Sequence, residues 1–179
     1  EEVYMKKYCF MFCVAASFLL CSACVTGLSS NKEKVITAYM PSKYLKYYIR
    51  PGKMTAEESG SKSYLMIDFS YQMDKRNYVS NAYVNFTLYN RSNAYIDAAH
   101  FSFPNDEEIE LTELSILDRD TSKGYIRVST ILEQNRIEKV LKGLHESVCG
   151  LKVTLENGST LSFIATDDVK LRISEAFSK

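Results

Sequence analysis

The chain has 179 residues, with 22 Lys and Arg set against 22 Asp and Glu, 13 Tyr, no Trp and seven Gly. A balanced charge argues against a basic face for nucleic acid or for a membrane surface. The length suits one domain once a leader is set aside, and no glycine-rich loop of the phosphate-cradling type is present.

Cysteine is distributed unevenly. Cys9, Cys13, Cys21 and Cys24 fall in the first 24 residues, and Cys149 is the only one after them. From Met5 the chain runs Met-Lys-Lys and then carries no charge until Lys32. A short basic start, an apolar block and small residues at its end (Ser22, Ala23) form a secretory signal. Met5 reads as the natural start, so Glu1 to Tyr4 are set apart from fold reasoning. The block ends in "LCSAC", which resembles the lipobox of bacterial lipoproteins, a leucine and small residues ahead of an obligatory cysteine. Cys21 stands where that family carries an aliphatic residue, and Leu20 lies one position earlier.

The resemblance implies cleavage after Ala23 and lipidation of Cys24. It also implies a bacterial envelope location, lipid-anchored on the periplasmic face or the cell surface. Each buried methylene contributes about 0.8 kcal/mol and a single chain holds only reversibly, so several acyl chains at one residue would anchor permanently. Two other routes fit the residues: an uncleaved anchor helix, and plain secretion after Ala23. The strongly apolar part is short against the ~20 residues a span requires. The expected organisation is a signal over residues 1–23, a flexible lipidated tether over 24–34 and one β-rich domain over 35–179.

Beyond Cys24, 20 acidic and 20 basic residues remain. With Cys24 lipidated, Cys149 has no disulfide partner and is expected as a small core residue. The first predicted strand covers Tyr44–Arg50, with Leu45, Tyr47 and Ile49 on one face and Tyr44, Lys46, Tyr48 and Arg50 on the other. In "SYLMIDFSY", Leu65, Ile67, Phe69 and Tyr71 share a face; in "AYVNFTLYN", Ala82, Val84, Phe86 and Leu88 do so. These period-2 patterns are those of half-buried strands. "MDKRN" (73–77) reads as the turn between them, and "NRSN" (90–93) closes the second strand against a third at Ala94–Phe103. "IELTELSIL" changes phase between Leu111 and Leu114, which predicts a bulge near Glu113 and brings Ile116 inward. Ile126, Val128 and Leu132 restart the inward face after a turn at 119–124.

The period then becomes helical. Ile137, Val140, Leu141 and Leu144 form an apolar stripe, with Asn135 and Glu138 as a capping pair. Gly143 costs that helix about 1 kcal/mol. "LKVTLENGSTLSFIA" is a hairpin. The register with a Glu156-Asn157-Gly158 loop pairs Val153 with Leu161 and Leu151 with Phe163, keeping apolar residues together. Thr166 is placed to cap a last helix whose stripe is Val169, Ile173, Ala176 and Phe177. The expected fold is a β-rich α+β domain, an antiparallel β-sandwich or curved sheet with two short helices in the C-terminal third.

Candidate chemistry is sparse. His100 and His145 have no metal-ligand spacing around them, and no Gly-x-Ser-x-Gly elbow occurs. "NDEEIE" (105–110) and "DRDTSKG" (118–124) read as solvated turns before cation sites. No cofactor or metal is expected. The suggestive stretch is the outer face of Tyr44, Lys46, Tyr48 and Arg50, an aromatic and basic ladder suited to headgroups, glycans or an envelope protein. Basic residues guarding an edge strand would look the same. The expected function is a binding or assembly-support module. The alternatives are an envelope hydrolase using His100 or His145, and a surface adhesin working through the Tyr44 to Arg50 face.

Overall fold

Alternation of apolar and polar residues from residue 35 to residue 132 dictates strands, and strands dominate the computed structural model, which describes residues 33–40, 44–75, 77–92 and 94–179. In chain order they are β1 (Val35–Tyr39), β2 (Leu45–Ala56), β3 (Tyr64–Asp74), β4 (Asn77–Tyr78), β5 (Ala82–Tyr89), β6 (Ile96–Ser102), β7 (Glu108–Asp120) and β8 (Tyr125–Leu132). Helix α1 (Ile137–Glu146), the hairpin β9 (Gly150–Leu155) and β10 (Thr160–Ala165), and helix α2 (Asp167–Ser178) follow. The β-rich α+β expectation and the two C-terminal helices therefore stand, in the form of a single curved sheet.

All pairings are antiparallel, and they run β2–β3–β5–β8–β7–β6–β9–β10 and back to β2. The sheet thus curls until it nearly closes. The closing seam is short: Phe163, Ile164 and Ala165 lie opposite Ala56, Thr55 and Met54. β1 extends along the first half of β2, and β4 pairs with the end of β3 alone. Inward side chains from every strand of the ring meet in one apolar core with Phe69, Phe86, Phe101 and Phe163 fully buried. α2 lies against β1, β2 and β10 and packs on α1.

The hairpin takes the register that apolar pairing predicted, Val153 opposite Leu161 and Leu151 opposite Phe163, with Gly158 left-handed (φ 80°). The bulge also lies where the phase change placed it. Glu113 adopts φ 55°, and the register with β8 shifts between Thr112 and Ser115. Gly143 has a packing reason to interrupt α1, since a Cβ there would come within 2.7 Å of both Cys149 and Phe103. The glycine lets the helix sit directly on them.

Several expectations need correction. "NRSN" does not turn β5 back onto the next strand: β5 pairs with β3 and β8, whereas β6 pairs with β7 and β9. The first predicted strand continues past Pro51 to Ala56, because a register shift between Ile49 and Gly52 absorbs the proline. Ile116 is 53% exposed, since β6 pairs with β7 over Glu108–Leu111 and covers nothing beyond. Asn135 and Glu138 form no capping box; a 3₁₀ turn over Gln134–Arg136 leads directly into α1. Thr166 does occupy the N-cap position of α2, but its hydroxyl donates to the Lys53 carbonyl instead of capping. Phe177 leaves the apolar stripe and is 47% exposed.

Candidate functional site

Cys24 and the whole signal segment lie outside the described residues. Among the described residues, no helix is long and apolar enough to cross a membrane.

Tyr44, Lys46, Tyr48 and Arg50 lie on the side of the chain opposite the buried Tyr47 and Ile49. Lys46 is exposed and the other three are half-buried. Tyr48 pairs with Ile36 on β1 and with Ser70 on β3. Its phenol is held above the ordinary value, first by burial and then by the charge of Asp68, against the opposing pull of Arg127 and Arg50.

Asp68 is the residue that sequence reasoning missed. It belongs to the outward phase of β3, yet it is fully buried. An unpaired carboxylate at such a site would cost several kcal/mol. Both of its oxygens are satisfied: Arg127 donates through Nη2 to Oδ2 (2.7 Å), and Asn85 donates through Nδ2 to Oδ1 (2.6 Å). The other arm of the Arg127 fork donates to Thr87 Oγ1 (3.1 Å). Strand register builds this cluster, because Asp68 stands opposite Asn85 and Thr87 stands opposite Arg127. In sequence Asp68 is simply the polar residue of an alternating strand. Its burial arises only when β2 and β5 flank β3 and Arg127 reaches over from β8, one strand beyond β5.

The two histidines are not brought together. His100 pairs across the sheet with Glu110 on one side and Lys152 on the other. Its Nε2 lies 3.0 Å from Glu108 Oε1, but the approach is not aligned as a hydrogen bond, so the contact counts as an ion pair when the ring is protonated. Lys152 also reaches Glu108 (3.5 Å). His145 lies on α1 beside a cleft of about 470 Å³ lined by Met73, Tyr78, Glu138, Glu146 and Phe177. Its Nδ1 is 3.2 Å from the Lys170 carbonyl, and since a carbonyl only accepts, Nδ1 carries the proton there. The ring meets Phe177 edge-on.

Cys149 is buried, and burial pushes its thiol up to about 12, with the Lys139 charge opposing. A nucleophilic thiol requires the opposite shift. Among the described residues, no three His, Cys, Asp or Glu side chains cluster as metal ligands would.

Comparison with known proteins adds no relative: no family model, no curated protein and no solved structure matches this chain.

Proposed function

We propose that this chain is a bacterial envelope lipoprotein, tethered through Cys24, whose β-rich body serves as a binding or assembly-support module. The anchoring half of the proposal rests on "LCSAC" at the end of the leader. The binding half rests on one observation, the Asp68–Arg127–Asn85–Thr87 cluster on the outward side of β3, β5 and β8, whose charges reach Tyr48 on the adjoining β2. A fully hydrogen-bonded buried network rigidifies the surface it supports. Tyr44, Lys46, Tyr48 and Arg50 therefore stand on a stiff sheet with their aromatic and cationic groups on one side, as a glycan or a protein partner requires. A hydrolase has less in its favour: the His100 Nε2 is buried beside Glu108, and the His145 Nδ1 proton is engaged by a backbone carbonyl.

Replacement Cys24→Ser tests the anchor. The variant moves from the membrane fraction to the soluble fraction and loses incorporation of labelled palmitate. Unchanged fractionation overturns the lipoprotein assignment.

A further inference from the structure

At one end of the near-closed sheet, three tyrosines stand directly opposite one another on neighbouring strands: Tyr64 on β3, Tyr89 on β5 and Tyr125 on β8. Tyr64 and Tyr89 stack with centroids 4.4 Å apart, and Tyr125 tilts onto Tyr89 at 5.6 Å. The other face of Tyr64, on the β2 side, is covered by the Lys53 ammonium, 4.7 Å from the ring centroid. Both faces of Tyr64 are therefore occupied, and what it offers to a visitor is its edge and its hydroxyl. Ring edges carry the positive part of the aromatic quadrupole. Burial and the neighbouring Tyr89 raise the Tyr64 phenol above its ordinary value, so it remains a protonated donor.

Tyr64 and Tyr89 line a cleft of about 310 Å³, whose rim is Lys62 from the β2–β3 loop, Arg91 from the β5–β6 loop and Lys123 from the β7–β8 turn; Tyr125 is outside the lining and donates its hydroxyl to Asp118 (2.7 Å). Three separate loops thus bring a cation each to one opening. No carboxylate lines it. Lys123 is shared with Asp120 (3.2 Å), whereas among the described residues Lys62 and Arg91 enter no ion pair. The remaining lining is Ser63, Asn90 and Gly124, with the Asn90 N–H donating to the Gly124 carbonyl and so pinning two of the loops together. No Leu, Ile, Val or Met faces the cleft, so its apolar surface comes largely from the tyrosine rings and suits a ligand that is mostly polar.

We propose that this cleft binds an anionic, hydroxyl-rich group: a sugar unit carrying a carboxylate, sulfate or phosphate. The anion meets Lys62 and Arg91 at the rim. The ring hydroxyls meet the tyrosine hydroxyls, Ser63 and Asn90. The inference rests on the reading of the protein as a binding module and names a site for it distinct from the Tyr44 to Arg50 face.

Calorimetric titration of the full chain in non-ionic detergent tests it, with a glucuronate-containing disaccharide, a neutral disaccharide of equal size and inorganic phosphate as probes. The acidic disaccharide binds saturably and weakens as salt rises. Lys62→Ala with Arg91→Ala lowers its affinity about tenfold or more, and Tyr89→Phe, which keeps the stack, lowers it several-fold. No saturable binding, equal binding of the neutral disaccharide, or phosphate binding as tightly as the sugar each overturns the proposal. So does a double variant that binds like the parent. Absence of saturable sugar binding by a chain that still recovers an envelope partner through the Tyr44 to Arg50 face would discard this cleft while leaving the binding-module reading intact.

Discussion

Two stretches of the outward sheet surface place acids beside bases at comparable positions in the pleat. On β3, β5 and β8, Asp68 and Arg127 form a pair in which the carboxylate is fully buried and every oxygen has a donor. On β6, β7 and β9, Glu108 is shared between His100 and Lys152 with half of its side chain in water. The charges are alike; the difference lies in desolvation. In the first stretch, removal of one member strands its partner away from water. In the second, water reaches the Glu108 carboxylate and the Lys152 ammonium whatever is removed, although the His100 Nε2 is itself buried. The pair most visible as an ion pair on the surface is thus the one that matters less to the fold.

The largest expected effect follows directly. Asp68→Ala leaves Arg127 without its counter-ion and Asn85 without its acceptor, and it destabilises the domain by about 3 kcal/mol. That is the lower end of the range for broken buried pairs, because the Arg127 side chain keeps 29% exposure. Urea melts measure the loss, and the double replacement Asp68→Leu with Arg127→Met recovers part of it. A single-variant loss below about 1 kcal/mol would erase the contrast between the two stretches.

On the other stretch, Glu108→Gln costs no more than about 1 kcal/mol, and the cost shrinks further in high salt. A salt-independent loss of several kcal/mol there would show that His100 and Lys152 are more desolvated than their exposure implies.

The smallest effect concerns Asp120, a partly exposed acid satisfied by its own turn. The Ser122 hydroxyl and the Lys123 N–H donate to it, and with the Lys123 ammonium they hold its carboxyl at about 2 instead of 3.8. A lowered folded value stabilises the turn above pH 3.8, and that contribution disappears as the pH falls through about 2. Titration of the Asp120 carboxyl by NMR checks this, and Ser122→Ala shifts the midpoint back up. A midpoint at the ordinary value in the parent protein would put the turn among the freely solvated charges.

What sequence patterning could reveal was decided by range. Local rules placed β3, β5, the Glu113 bulge, the α1 stripe and the register of the Glu156-Asn157-Gly158 hairpin loop, because each depends on side chains within a few residues of one another. Strand order was not legible: nothing in "NRSN" says that β5 must pair with β8 across a stretch that contains two other strands. The same limit hid both polar features. Asp68 looks like any outward residue of an alternating strand, and Tyr64, Tyr89 and Tyr125 are far apart in the chain until the register aligns them. Lys62, Arg91 and Lys123 sit in three different loops, each an ordinary turn when read alone.

The short seam between β2 and β10 also has a kinetic meaning. It joins the beginning of the domain to its end, and α2 reinforces it with Lys179 donating to the Val35 carbonyl, 144 positions away (2.7 Å). Contacts so distant along the chain are slow to form, because the intervening loop must be closed before they return any free energy. β1, β2 and β3 must therefore wait for the last residues to arrive before the ring can shut. Under the proposed lipoprotein reading, in which the chain is threaded across a membrane from its N-terminus, this would keep the domain open until export is finished.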